Sequence, residues 1–112
     1  MQQIAGEKCG LADIVESGTA IQGYIEGYSF QDFSGDRKTY SAVIREFEII
    51  GEAVGKLPEK IKNQRAEVEW QDIKDFRNLF IHEYFGVDLE IIWQVIQNDL
   101  PQLLETAKEL SK

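Results

Sequence analysis

The chain has 112 residues, 43% of them hydrophobic, which is enough for one modest core and leaves no room for a second domain. No stretch approaches the apolar length that crosses a bilayer, no early segment has the pattern of a secretory signal, and the lone cysteine, Cys9, has no partner for an intramolecular disulfide, so a cytoplasmic protein is expected and no metal site or cofactor. The formal charge of −8 excludes a broadly basic nucleic-acid binder, yet residues 37–77 hold nine of the twelve basic side chains against eight acids, while the rest of the chain carries −9.

Apolar residues recur at helical rather than alternating spacing throughout, which predicts an all-α domain spanning 1–112. The first helix is expected over roughly 8–28, with Leu11, Ile14, Val15, Ile21, Tyr24, Ile25 and Tyr28 on one face and Gly10, Gly18, Gly23 and Gly27 weakening it. Ser34-Gly35-Asp36 marks a turn into a second helix over roughly 37–55, where Tyr40, Val43, Ile44, Phe47, Ile50 and Val54 point one way.

Gly55 ends that helix, and Leu57-Pro58-Glu59 opens a short helical turn that leads into a polar connection around 63–68, read as the least ordered part of the chain. A third helix over roughly 70–84 carries Trp70, Ile73, Phe76, Leu79, Phe80 and Ile81 and stops near Phe85-Gly86. Asp88 has the position of an N-cap for a last helix from 89 to about 110, which Pro101 should kink or split. Trp70 and Trp93 sit at core positions of this pattern.

The third helix concentrates the polar chemistry: Arg77, Asn78, His82, Glu83 and Tyr84 stand among apolar neighbours. At about 100° per residue Arg77 and Tyr84 fall within about 20° of each other, and Asn78 lies one turn before His82, where it can orient the imidazole. Histidine moves protons near neutrality and arginine offers a fixed positive fork to a phosphate. RNA supplies its own nucleophile, the 2′-hydroxyl, so a base, an acid and a cation suffice without metal. By spacing alone, His82 equally serves the dipole at a helix C-terminus, and Arg77 equally pairs with Asp72, Asp75 or Glu83.

The run from Arg77 to Asp88, RNLFIHEYFGVD, resembles the signature of HepT-type toxins of the HEPN superfamily, whose motif is Arg, four residues, His, one residue, Tyr. Ala42 to Arg45, Glu48 to Ala53, Leu57-Pro58 with Trp70, and Leu89 to Pro101 are similar to the family's flanking blocks, in the same order. The resemblance implies an up-and-down bundle of four to five helices acting as a two-fold homodimer. It also implies the toxin of a type VII toxin–antitoxin system, a metal-independent endoribonuclease that cleaves tRNA or mRNA. Arg77 and His82 would then be the catalytic pair, with Asn78 and Arg45 supporting. Tyr84 would be the residue that a cognate MntA-like minimal nucleotidyltransferase antitoxin modifies with AMP. The chain departs from the family where Arg45 is followed by Glu46 and in its glycine-rich opening, Met1 to Gly10. Two other readings stand beside this one: a non-catalytic HEPN module that binds nucleotide or docks a nucleotidyltransferase, and a helical interaction domain in which the motif is a buried polar network.

Overall fold

Residues 5–71, 73–74 and 88–111 are described by the computed structural model, with side chains from residue 10 onward. All regular structure among them is helical: α1 (Ala5–Tyr24), α2 (Phe30–Ser34), α3 (Arg37–Lys56), α4 (Glu59–Asn63), α5 (Leu89–Gln94), a π-helical turn at Val95–Asp99, and α6 (Leu100–Leu110). Residues 70–71 and 73–74 are helical as well.

The core forms where α1 lies against α3 and, on its other side, against α6. Leu11, Ile14 and Ile21 of α1, Val43, Phe47, Ile50, Ala53 and Val54 of α3, and Leu100, Leu103, Leu104 and Ala107 of α6 are buried together. Each fully buried Leu, Ile, Val or Phe of this set contributes about 1.5–3 kcal/mol relative to exposure. The glycines that lower the helix propensity of α1 are what let its partners approach. A Cβ on Gly10 would stand 2.9 Å from the carbonyl oxygen of Ala53, and one on Gly18 would stand 2.5 Å from Leu104 Cδ2. Tyr24, expected on the apolar face, is instead 40% exposed, because α1 ends there. The chain then reverses at Gly27, whose φ of +79° lies in the left-handed region that glycine adopts without a Cβ penalty.

The expected single helix over 8–28 is thus corrected to α1 followed by a turn, and a short helix, α2, precedes the predicted turn at Ser34-Gly35. It is started by a capping box: Asp32 N–H donates to Ser29 Oγ at 3.1 Å, and Ser29 N–H donates to Asp32 Oδ2 at 3.0 Å. Five residues carry too little periodicity to be read from sequence. α2 is held by Phe33, fully buried, whose ring lies 5.2 Å from Trp93 and 6.3 Å from Tyr40.

Asp36 begins α3 as its N-cap. Its carboxylate accepts from Thr39 N–H at 3.2 Å and from the Tyr28 and Thr39 hydroxyls at 2.7 Å each. The Tyr28 bond, followed by those from Thr39, holds the Asp36 pKa below the usual aspartate value.

The final helix starts at Asp88, whose Oδ1 accepts from Glu90 N–H at 3.0 Å and Ile91 N–H at 3.3 Å. Pro101 splits it in an unexpected way. Proline has no N–H and its ring crowds the carbonyl four residues back, and the helix meets this with the wide turn at Val95–Asp99, where Leu100 N–H donates to Val95 five residues earlier.

Two outcomes test this packing. Gly10→Ala gains helix propensity of about 1 kcal/mol but drives a methyl into an immovable carbonyl, so a net loss of about 1–2 kcal/mol is expected in denaturant unfolding. Because the folded-state pKa of Asp36 is depressed, its contribution is present above the unfolded value and is lost as pH falls through the folded one. Between pH 5 and about 2 the wild type should lose melting temperature more steeply than Asp36→Asn, as read by thermal melts across that range.

Candidate functional site

Arg77, Asn78, His82 and Tyr84 lie outside the described residues, as do the expected helix interior (Phe76, Leu79, Phe80, Ile81), its end at Phe85-Gly86, and the side chain of Cys9. The structure does describe the chain that leads into the motif segment and out of it, and the α3 surface that carries the supporting residue Arg45.

The approach is fixed by Trp70. Its ring is buried, 8% exposed, and its indole N–H donates to the carbonyls of Lys62 and Arg65, both at 3.2 Å. One side chain thereby joins the end of α4 to the start of the helical residues 70–74. The connection over 63–68 is correspondingly ordered by local bonds: Gln64 N–H to Ile61, Arg65 N–H to Lys62, Val68 N–H to Arg65 and Trp70 N–H to Val68, all between 2.9 and 3.2 Å. The sequence reading of this stretch as a polar connection agrees with turns and a bend between α4 and Trp70. Its polarity is that of a solvated turn whose backbone groups pair with one another.

Arg65 adds a second tie. Its Nε donates to Glu67 at 2.7 Å and its NH1 pairs with Glu109 on α6. The arginine, with both arms engaged, holds the Glu67 carboxyl below its ordinary range, and the two carboxylates raise the guanidinium's own pKa. Nothing in the sequence marked a pair 44 residues apart.

Arg45, expected to support catalysis, projects from α3 with its side chain 70% exposed, and its NH1 donates to Glu48 at 3.2 Å. An exposed i,i+3 pair of this kind is worth about 0–1 kcal/mol. A phosphate can therefore take the guanidinium at little cost. Glu46, the departure noted beside it, turns toward α1, where its carboxylate accepts from the Tyr24 hydroxyl at 2.9 Å. That bond, and then the negative charge of Glu46, raise the Tyr24 pKa and keep the phenol a donor. The neighbouring positions 45 and 46 thus have separate partners.

Ile73 packs against the core, and the stem of Lys74 crosses Gly55, where an added Cβ would lie 3.5 Å from Lys74 Cε. Among the described residues no group of three or more His, Cys, Asp or Glu is arranged to hold a metal, and no helix is long and apolar enough to cross a membrane.

The sequence matches a known family: the description "Ribonuclease HepT-like" covers residues 14–110, from α1 to the end of α6. The chain belongs to the HepT-like family of the HEPN superfamily. A "Putative RNase" of Methanocaldococcus jannaschii is 39% identical over 102 residues, covering 91% of this chain and 84% of that protein. "Probable ribonuclease HepT" of Thermococcus cleftensis is 38% identical over 102 residues, covering 91% and 93%. A "Putative RNase" of Caldanaerobacter subterraneus subsp. tengcongensis is 42% identical over 86 residues, covering 77% of each. No solved structure matches.

Proposed function

We propose that the protein is a metal-independent endoribonuclease, the toxin of a toxin–antitoxin pair, with Arg77 and His82 as its catalytic pair. The observation that carries this reading is the family match over residues 14–110, which spans the whole Arg-x4-His-x-Tyr string in a chain whose relatives bear ribonuclease names.

The chemistry rests on what these side chains can do. Neutral His82 takes the proton of an RNA 2′-hydroxyl, the 2′-oxygen attacks the adjacent phosphorus, and the bond from phosphorus to the 5′-oxygen breaks. The products are a 2′,3′-cyclic phosphate and a 5′-hydroxyl, the latter protonated by an imidazolium. Arg77 stabilises the charge that builds on the phosphate oxygens, and Asn78 orients the imidazole. A two-fold dimer supplies two histidines and two arginines to one cleft, so one His serves as base and the other as acid. Arg45, exposed and paired with Glu48, contributes a further positive charge for the phosphate.

Silencing acts through Tyr84. An MntA-like nucleotidyltransferase joins the phenolic oxygen to the α-phosphorus of ATP and releases pyrophosphate. The AMP adduct then blocks RNA by its bulk and by like-charge repulsion. The net charge of −8 favours a second reading, a non-catalytic HEPN module that binds nucleotide or docks the transferase without cutting RNA.

The test is cleavage of total tRNA and of mRNA in EDTA, scored by 2′,3′-cyclic phosphate ends. Wild type should cut and a folded His82→Ala should lose at least about 100-fold in rate; failure of the wild type to cut hands the case to the binding-module reading. Incubation of the inactive His82→Ala protein with the partner enzyme and ATP should add one AMP by intact mass, absent when Tyr84→Phe is also present. Adduct on the Tyr84→Phe variant would assign the modification elsewhere.

A further inference from the structure

The ribonuclease reading leaves open how so acidic a chain holds RNA. The described residues carry two cavities beside the 63–69 turn, and their linings differ in chemistry. The first, about 210 Å³, lies toward α6 and is bordered by Glu67, Glu69 and Asp99. Among the described residues its one cation is Arg65, which is already committed to Glu67 and Glu109. The second is lined by α4 residues and by residues of the helical stretch that starts at Trp70, and has a volume of about 350 Å³, within the roughly 300–1,000 Å³ of small-ligand sites. Lys62 and Lys74 both line it, together with Asn63, Trp70 and the acids Glu59 and Glu69.

We infer that this groove binds the sugar–phosphate backbone of the RNA substrate; the inference rests on the ribonuclease reading and names a contact with the strand outside the catalytic pair. Four observations support it. Residues 56–65 hold Lys56, Lys60, Lys62 and Arg65 against the single acid Glu59, in a chain that is otherwise strongly acidic. Lys74 is exposed, and among the described residues no ion pair engages it. The lysine stem crosses Gly55, so the absence of a side chain there lets α3 support it without displacing it. And in the chain Lys74 stands three residues before Arg77, so the groove and the motif are close in sequence.

The acids of the groove do not defeat this. Glu59 reaches Lys62 at 3.9 Å with its own side chain 81% exposed, a contact that solvent already screens and a phosphate readily replaces. Glu69 is likewise exposed and free to turn outward. Trp70 offers no open face, since it is buried and its N–H is taken, so the groove reads the backbone rather than stacking a base.

The test separates binding from cutting. Binding is measured with a fluorescent 2′-O-methyl RNA 12-mer, which lacks the nucleophile and cannot be cleaved, and cutting with the unmodified strand. Lys74→Gln and Lys62→Gln should each weaken binding about five-fold and raise KM with kcat unchanged. Each should make the dependence of log Kd on log salt shallower by about 0.7. Lys38→Gln removes the same charge from the far end of α3, roughly 25 Å from Gly55, and should change neither. Thermal melts verify that each variant is folded. If the wild type binds and cuts RNA while both groove variants behave like Lys38→Gln, the groove is excluded and the ribonuclease reading survives. If the wild type binds the 12-mer through Lys62 and Lys74 but never cuts the natural strand, the groove stands as an RNA site and the ribonuclease reading falls. A wild type that binds no RNA overturns the groove.

Discussion

The close approach of α1 to its neighbours governs the rest of the molecule. At Gly10 and Gly18 the helix surface is bare, and the Ala53 carbonyl and the Leu104 side chain occupy the space that a Cβ would take. This seats Leu11, Ile14 and Ile21 deep between α3 and α6, where all three are fully buried. Glycine in a helix costs about 0.5–1 kcal/mol relative to alanine, and here the burial it permits outweighs that cost. With α3 so fixed, its far end positions the next stretch of chain. Leu57, Ile61 and Trp70 are buried in turn, so the entry to the motif segment inherits its place from the α1–α3 contact.

How much of this the sequence disclosed depended on whether a feature was local. α3 was legible almost to the residue, because Asp36 is a capping acid followed by a sustained 3.6-residue stripe. Asp88 and α4 were legible for the same kind of reason, a cap in one case and Leu-Pro-Glu in the other. Features that depend on a partner far along the chain were not. Tyr24 belongs to the apolar stripe by spacing, yet its hydroxyl goes to Glu46, 22 residues away, and Arg65 looks like any solvated cation until Glu109 is brought beside it. The expectation that glycines weaken α1 was sound about intrinsic propensity and silent about packing, which only the opposing helix reveals.

The candidate site divides along the same line. A His, an Arg, an Asn and a Tyr on one short stretch limit the reactions they can support, and the family match covers that stretch entire. The surroundings of the site were not legible in this way. Whether Glu46 cancels Arg45 could not be judged from adjacency, since neighbouring positions on a helix point about 100° apart. In the structure Arg45 meets Glu48 and Glu46 meets Tyr24, so the two charges are assigned to different neighbours.

Net charge is therefore a poor guide to what this surface can hold. What matters to an incoming phosphate is which cations are already spent inside the fold. Arg65 is spent twice, on Glu67 and Glu109, and its removal from solution makes the α6 side of the turn a surface of carboxylates. Among the described residues Lys62 and Arg45 each meet one acid, at 3.9 and 3.2 Å, and in each pair one partner is well exposed, Glu59 at 81% and Arg45 at 70%, so water already competes for the contact. An acidic domain can thus keep a narrow cationic path by binding one arginine tightly to its own acids and leaving its lysines loosely paired. On the proposed reading the acidic remainder would repel RNA elsewhere and narrow its approach to that path.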